Sequence, residues 1–242
     1  MISSEMTVRE VAALLPESTR LFETLKIDYC CGGNRPLTQA CATAGVEVDN
    51  LMEQLTALGK SAASDGATVE FQKLSLTDLI THIVDTHHVF TKSEMDRIQA
   101  LATKVIGVHG TNHPELLTVG ELFQRLCADL APHMFKEEQV LFPYIKGMEQ
   151  ARTKGLPAPF APFGTVKNPI RMMMMEHDTA GDILRRLRAV TSDYQVPSDG
   201  CISFQTLYQA LEGLEKDLHQ HIHLENNVLF PKAAELETAE AR

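Results

Sequence analysis

Two stretches of the chain carry the same string. Asp129-Leu-Ala-Pro-His133-Met-Phe-Lys-Glu137-Glu-Gln-Val-Leu-Phe-Pro143 and Asp217-Leu-His-Gln-His221-Ile-His-Leu-Glu225-Asn-Asn-Val-Leu-Phe-Pro231 both read D-L-x-x-H-x-x-x-E-x-x-V-L-F-P, and every shared residue is offset by 88 positions. Residues four apart on an α-helix lie one above the other, so each stretch puts an imidazole and a carboxylate on one face. The Val-Leu-Phe triplet that follows surrounds that face with apolar side chains, which points the pair toward a core. Buried imidazoles and carboxylates are costly unless paired, and a bound cation removes the cost. His133, Glu137, His221 and Glu225 therefore read as metal ligands.

A chain of 242 residues has room for one large domain, or for a large and a small one. Residues 1–58 read as a small helical domain: Val8, Val11, Leu14 and Leu15 recur at helical spacing, and Leu21, Phe22, Leu25 and Ile27 continue the apolar face. It contains Asp28-Tyr29-Cys30-Cys31-Gly32-Gly33-Asn34-Arg35-Pro36, a strong stop signal. Residues 59–70, small and polar at first, read as a linker. Residues 71–242 then divide into four long helices, at about 75–106, 115–149, 168–192 and 201–236, with Gly107 closing the first and Pro143 bending the second. Pro157, Pro159, Pro162 and Pro169 mark a long connection over 150–169. The fold class expected is all-α, a four-helix bundle whose two halves are related by a pseudo-twofold.

That symmetry asks for matching ligands on the first and third helices. His177, in the run Met172-Met-Met-Met175-Glu176-His177, lies one position from the 88-residue image of His88, so His88 and His177 complete the set. His87 lies about 100° around the helix, and it joins His82, His109, His113, His219 and His223 as satisfied structural histidines. Four histidines and two glutamates exceed one tetrahedral zinc and suit two metals bridged by the carboxylates; imidazole with carboxylate favours iron or manganese, with zinc admissible. Asp129 and Asp217, one turn before His133 and His221, are candidate acceptors for the outer imidazole N–H groups. Met172 to Met175 read as core filler or as the adaptable wall of an access route, with Glu176 at its inner end as a proton or cation relay.

A net charge of −10 argues against nucleic acid or an anionic membrane surface as the main partner. No 18-residue apolar run exists, and Met1-Ile-Ser-Ser-Glu-Met6 lacks the regions of a signal peptide, so the expected location is the cytoplasm. Five cysteines without scaffold spacing fit free thiols in a reducing compartment. Cys30 and Cys31 form either a thiol site that receives or hands over iron or reacts with nitric oxide, or a capped turn of small buried residues. Cys41, Cys127 and Cys201 are expected to be packing residues.

The paired His-x-x-x-Glu-x-x-Val-Leu-Phe-Pro segments resemble the hemerythrin-like superfamily. Together with the Asp28-Tyr29-Cys30-Cys31-Gly32-Gly33 module they resemble the Repair of Iron Centres family, of the YtfE/ScdA/DnrN type, over essentially the whole chain. The resemblance implies a non-haem di-iron centre with two iron ions bridged by carboxylate and oxo groups, on His88, His133, Glu137, His177, His221 and Glu225. It implies repair of iron–sulfur clusters damaged by nitrosative or oxidative stress, with damaged iron–sulfur proteins as partners and iron donation as the means. The competing readings are a nitric oxide or oxygen sensor or carrier, and a di-iron nitric oxide or peroxide reductase. A homodimer is compatible with the layout.

Overall fold

The computed structural model describes residues 2–30, 32–65 and 71–240, so Cys31 and the end of the expected linker lie outside the described residues. No strand forms among them; a lone antiparallel bridge joins Thr7 to Pro36.

Four helices build the N-terminal module: α1 (Val8–Leu14), α2 (Ser18–Thr24), α3 (Leu37–Ala44) and α4 (Val48–Asp65). Thr7 starts α1 as a capping box, its hydroxyl accepting from the Glu10 amide while Glu10 accepts from the Thr7 amide at 2.8 Å. Val8, Val11, Phe22, Ile27, Leu37, Cys41, Leu51 and Leu55 close a core of their own. Gly33 is obligatory in the turn between α2 and α3, because a Cβ there would lie 2.7 Å from the Tyr29 carbonyl oxygen. α4 continues through Gly59 to Asp65, into the stretch expected to be the linker, since a lone glycine among alanines is tolerated in a helix.

The bundle follows. The first long helix is α5 (Leu76–His82), a π turn (Ile83–His88) and α6 (Val89–His109); the second is α7 (Glu115–Lys136), a π turn (Glu137–Leu141) and α8 (Phe142–Lys154). The third is α9 (Lys167–Val190), and the fourth is α10 (Ile202–Leu224), a π turn (Glu225–Leu229) and α11 (Phe230–Glu240). Around the bundle α6 packs on α7 and α10, and α7 on α9. Gly107 does not end the first helix, which passes through it to His109. The second runs on to Lys154, where Gly155 takes the left-handed conformation (φ 64°), and the connection shrinks to residues 155–166.

The Val-Leu-Phe-Pro half of the repeat now has a structural reason. Proline has no N–H to return to the carbonyl four residues back. In both copies the helix widens just before it, so that Phe142 donates to the Glu137 carbonyl and Phe230 to the Glu225 carbonyl, each five residues back. The helix then restarts with proline in its first turn, where a missing donor costs nothing. The π turns of the second and fourth long helices thus begin at the repeated glutamates, and π turns often sit at functional sites.

The repeat also extends beyond its recognised string. Glu149 on α8 accepts from the Leu76 and Thr77 amides at 2.7 and 2.8 Å and so caps the first long helix. Glu237, 88 residues later on α11, accepts from the Val166 amide at 2.8 Å and the Thr165 hydroxyl at 2.5 Å and caps the third. Carboxylates at helix N-termini satisfy orphan amides and complement the dipole. Glu149→Ala is expected to cost about 1–3 kcal/mol, since it leaves partly buried amides unpaired; a denaturant titration of the metal-free protein measures this, and a change within about 0.5 kcal/mol would show that the cap contributes nothing.

Inside the bundle the apolar core comes in two pieces. One, around Ile98, Leu116, Phe123, Leu184, Phe204, Leu211 and Leu214, fills the end where α6 meets α7. The other, around Leu79, Ile83, Phe142, Ile145, Ile170, Val228 and Phe230, fills the end made by α5, α8 and α11. Between them lies a polar layer.

Candidate metal centre

The layer consists of His88, His133, Glu137, His177, His221 and Glu225, each at most 2% exposed. Their ligand atoms fall into two groups. His88, Glu137, His221 and Glu225 each bring one within 4.8 Å of the others, and so do His133, Glu137, His177 and Glu225. Both glutamates belong to both groups: Glu137 Oε2 lies 3.5 Å from His88 Nε2 and 3.4 Å from His133 Nε2, while Glu225 places Oε1 and Oε2 each 3.1 Å from His221 and His177.

The residues present fit cations. Both oxygens of Glu137 and of Glu225 are buried with no hydrogen bond among the described residues, an arrangement that costs several kcal/mol without a positive partner. The Nε2 atoms face each other in pairs, His88 with His221 at 3.2 Å and His133 with His177 at 3.1 Å. Two imidazole nitrogens about 2.1 Å from one ion and at right angles stand about 3.0 Å apart.

Three of the four imidazoles are fixed from behind. His88 Nδ1 donates to Glu138 at 2.7 Å, His133 Nδ1 to Glu176 at 2.8 Å and His177 Nδ1 to Asn226 at 2.9 Å. Such outer bonds turn Nε2 inward as an acceptor. Burial would raise Glu138 and Glu176, but their hydrogen bonds override it: Glu138 accepts from Lys92 at 2.6 Å, Glu176 accepts from Lys136, and both carboxyls sit below the usual range.

The two expected acceptors are corrected here. Asp129 does not reach His133, whose Nδ1 points across to α9; Asp129 stays exposed, 4.0 Å from Arg125. Asp217 accepts from His87 Nδ1 at 2.9 Å and does not bond His221. Of the methionine run only Met173 is buried, because a helix cannot turn four successive side chains to one side. Glu138 and Asn226, immediately after the repeated glutamates and 88 apart, escaped the sequence reading because the repeat keeps their position and not their identity.

Among the other histidines, His219 donates to Glu23 at 2.7 Å and His223 accepts from Asn227 at 2.9 Å, both against the N-terminal module. Asn227 also donates to the Tyr29 carbonyl at 3.1 Å. Cys30 is buried in that module, its sulfur 3.4 Å from Asp28, and lines a cavity of about 190 Å³ with Arg185, Arg188, Glu215 and His219 of the same chain's bundle. Cys201 corrects the packing assignment. It is exposed before α10, its sulfur 3.1 Å from His109 Nε2; the Phe204 amide, acting as a nearby dipole without a capping bond, and then His109 bring its pKa down to about 7. Iodoacetamide at neutral pH is expected to label Cys201 well before Cys30, Cys41 or Cys127, which peptide mass spectrometry reads; equal labelling of Cys127, which burial pushes up to about 11, would overturn this.

In the metal-free form the layer holds its own charge. Burial would lower His177, but the Glu225 carboxylate, 3.1 Å from its Nε2, overrides it and pushes it up to about 9. Burial likewise opposes ionisation of Glu225, which His221 and His177 nonetheless hold well below its ordinary value. The stability His177 gains from this pair is complete below the ordinary histidine pKa and is lost as pH rises through about 9. A cation must displace that proton, so loading at pH 7 is expected to release protons and to weaken as the pH falls. Calorimetry in two buffers of different ionisation enthalpy tests it; identical heats would refute it.

The family model described as "Hemerythrin HHE cation binding domain" matches residues 79–233, and a "Domain of Unknown function (DUF542)" matches residues 4–59. The chain is 34% identical to the iron-sulfur cluster repair protein YtfE of Salmonella schwarzengrund, covering 96% of this chain and 98% of that one. It is 31% identical to a probable iron-sulfur cluster repair protein of Haemophilus influenzae (96% and 98% covered) and 29% identical to the iron-sulfur cluster repair protein ScdA of Staphylococcus haemolyticus (96% and 99%). No helix among the described residues is long and apolar enough to cross a membrane.

Proposed function

The chain belongs to the family of iron–sulfur cluster repair proteins built on a hemerythrin HHE cation-binding domain, and on that footing we propose that it restores damaged clusters by donating iron. The cargo is a pair of non-haem iron ions, one between His88 and His221 and one between His133 and His177, bridged by Glu137, Glu225 and an oxo group. The observation that carries the reading is the buried layer itself: two carboxylates without hydrogen bonds stand between two facing imidazole pairs.

The donor set also supports release. Six protein ligands are shared by two ions, and imidazole and carboxylate ligands both give way to protons, whereas six-coordinate ions could each fill six places. Burial of the layer between two apolar cores keeps bulk water and stray ligands from the iron until a partner docks. The partner is an iron–sulfur protein with a damaged cluster, met in a reducing cytoplasm. Residues 1–58, with Cys30 facing the same chain's bundle, form the second domain of this reading.

A second reading, nitric oxide or oxygen binding, is favoured by one observation: a cavity of about 20 Å³, room for one small molecule, is lined by His133, Glu176, His177 and His221. The deciding experiment is anaerobic. The reduced, iron-counted protein is mixed with a dehydratase whose cluster nitric oxide has damaged, in the presence of an iron chelator, and dehydratase activity is followed. Recovery that survives the chelator and is lost in His133→Ala supports donation; no recovery with iron still bound turns the reading to gas chemistry.

A further inference from the structure

The two ion positions differ in one respect. Each has a histidine tied to a carboxylate that also takes a lysine: His88 on Glu138 with Lys92, and His133 on Glu176 with Lys136. Opposite His133, His177 is tied to Asn226. Opposite His88 stands His221, whose Nδ1 is buried and has no hydrogen bond among the described residues.

The repeat shows how this arises. Asn226 is the 88-residue image of Glu138, and each anchors the histidine of a neighbouring helix. Glu176, which anchors His133, precedes His177; the residue that precedes His88 in the other half is His87. His87 therefore stands where an anchor for His221 belongs, and it cannot serve. Its Nδ1 is committed to Asp217 at 2.9 Å, and its ring runs parallel to that of His221, with centroids 5.7 Å apart and planes 8° from parallel. With that nitrogen taken, the His87 ring makes no hydrogen bond to the His221 Nδ1 among the described residues. Asp217 keeps its second oxygen buried and without a hydrogen bond rather than turning it to His221.

An imidazole held from behind is fixed in tautomer and direction, and loss of such a bond costs a metal site about tenfold to a hundredfold in affinity. We infer that the two positions are inequivalent: the ion between His88 and His221 is held about ten to a hundred times more weakly than the ion between His133 and His177, and it leaves first. His87 is the positioning residue that sets this difference. It also lines a cavity of about 380 Å³ with His82, Thr86, Arg20, Gln220 and His223, between the N-terminal module and the bundle. The weaker position thus lies behind His87, which touches both the layer and this cavity. The inference rests on the two-ion reading above.

The test follows iron rather than repair. Full-length protein loaded anaerobically with ferrous iron is challenged with excess colour-forming ferrous chelator, and release is recorded against the counted iron. Two phases of equal amplitude are expected, about tenfold or more apart in rate. His87→Glu supplies the carboxylate that the other half has in Glu176 and should slow the first phase about tenfold. Asn226→Ala removes the bond behind the His177 Nδ1 and should speed the second phase until the two merge. A single phase for both ions in the native protein overturns the inference on its own, whatever the variants do, and leaves the donor reading standing. Fewer than two ions per chain at saturation would instead take down the two-ion reading, and this inference with it.

Discussion

On the two-ion reading proposed above, Glu225→Leu is expected to empty both ion positions together. Its carboxylate lies 3.1 Å from His177 and 3.1 Å from His221, which belong to different groups, so no single position can be lost alone. Loss of an outer hydrogen bond already costs about tenfold to a hundredfold in affinity; loss of a shared ligand should exceed that at both places, and iron per chain after desalting should fall close to background. The metal-free fold should survive. Leucine is close to glutamate in volume, and the His177 proton, which Glu225 sustains, leaves with it, so the substitution adds no unpaired charge to the layer beyond that of Glu137, which the native layer already holds. The variant should therefore melt at the same temperature with and without ferrous iron, and should recover no damaged cluster. Two ions still bound per chain would refute the shared-ligand geometry.

Removal of iron from the native protein should be the largest stability change that leaves the covalent structure intact. A ligand present at a thousand times its dissociation constant stabilises the folded form by about 4 kcal/mol, which for a chain of this size corresponds to roughly 8–16 °C in melting temperature. The change has a definite location. The layer divides the bundle core in two, and three of the four long helices cross it through a π turn. Without the cation the carboxylates of Glu137 and Glu225 have only their histidines to answer them. Amide hydrogen exchange should accordingly rise first at residues 83–88, 137–141 and 225–229, while the core around Phe123, Leu184 and Phe204 keeps its protection. Equal loss of protection in both cores would show that the change is not localised to the layer, and no shift in melting temperature would show that the ion does not stabilise the fold.

The sequence alone carried the parts of this protein that depend on spacing along one helix. A separation of four residues puts His133 beside Glu137 and His221 beside Glu225 wherever the helix lies, and a proline after an apolar triplet forces a break that the π turns resolve. The repetition of both features implied the pseudo-twofold, and with it the places of His88 and His177. Helix ends were less legible: Gly107 and Gly59 stop nothing, because a glycine ends a helix only where the chain must also turn away.

What tertiary structure decided is what stands behind the ligands. Whether His133 leans on Asp129, one turn away on its own helix, or on Glu176 of α9 depends on which helix packs beside it and on the side-chain rotamers, neither of which leaves a mark in the spacing. The same holds for Asp217, which serves His87, and for Glu138 and Asn226, whose position repeats while their chemistry does not. Periodicity determines which side chains share a face of one helix; the inequivalence of His177 and His221 arises between helices, where contacts are set by packing in three dimensions.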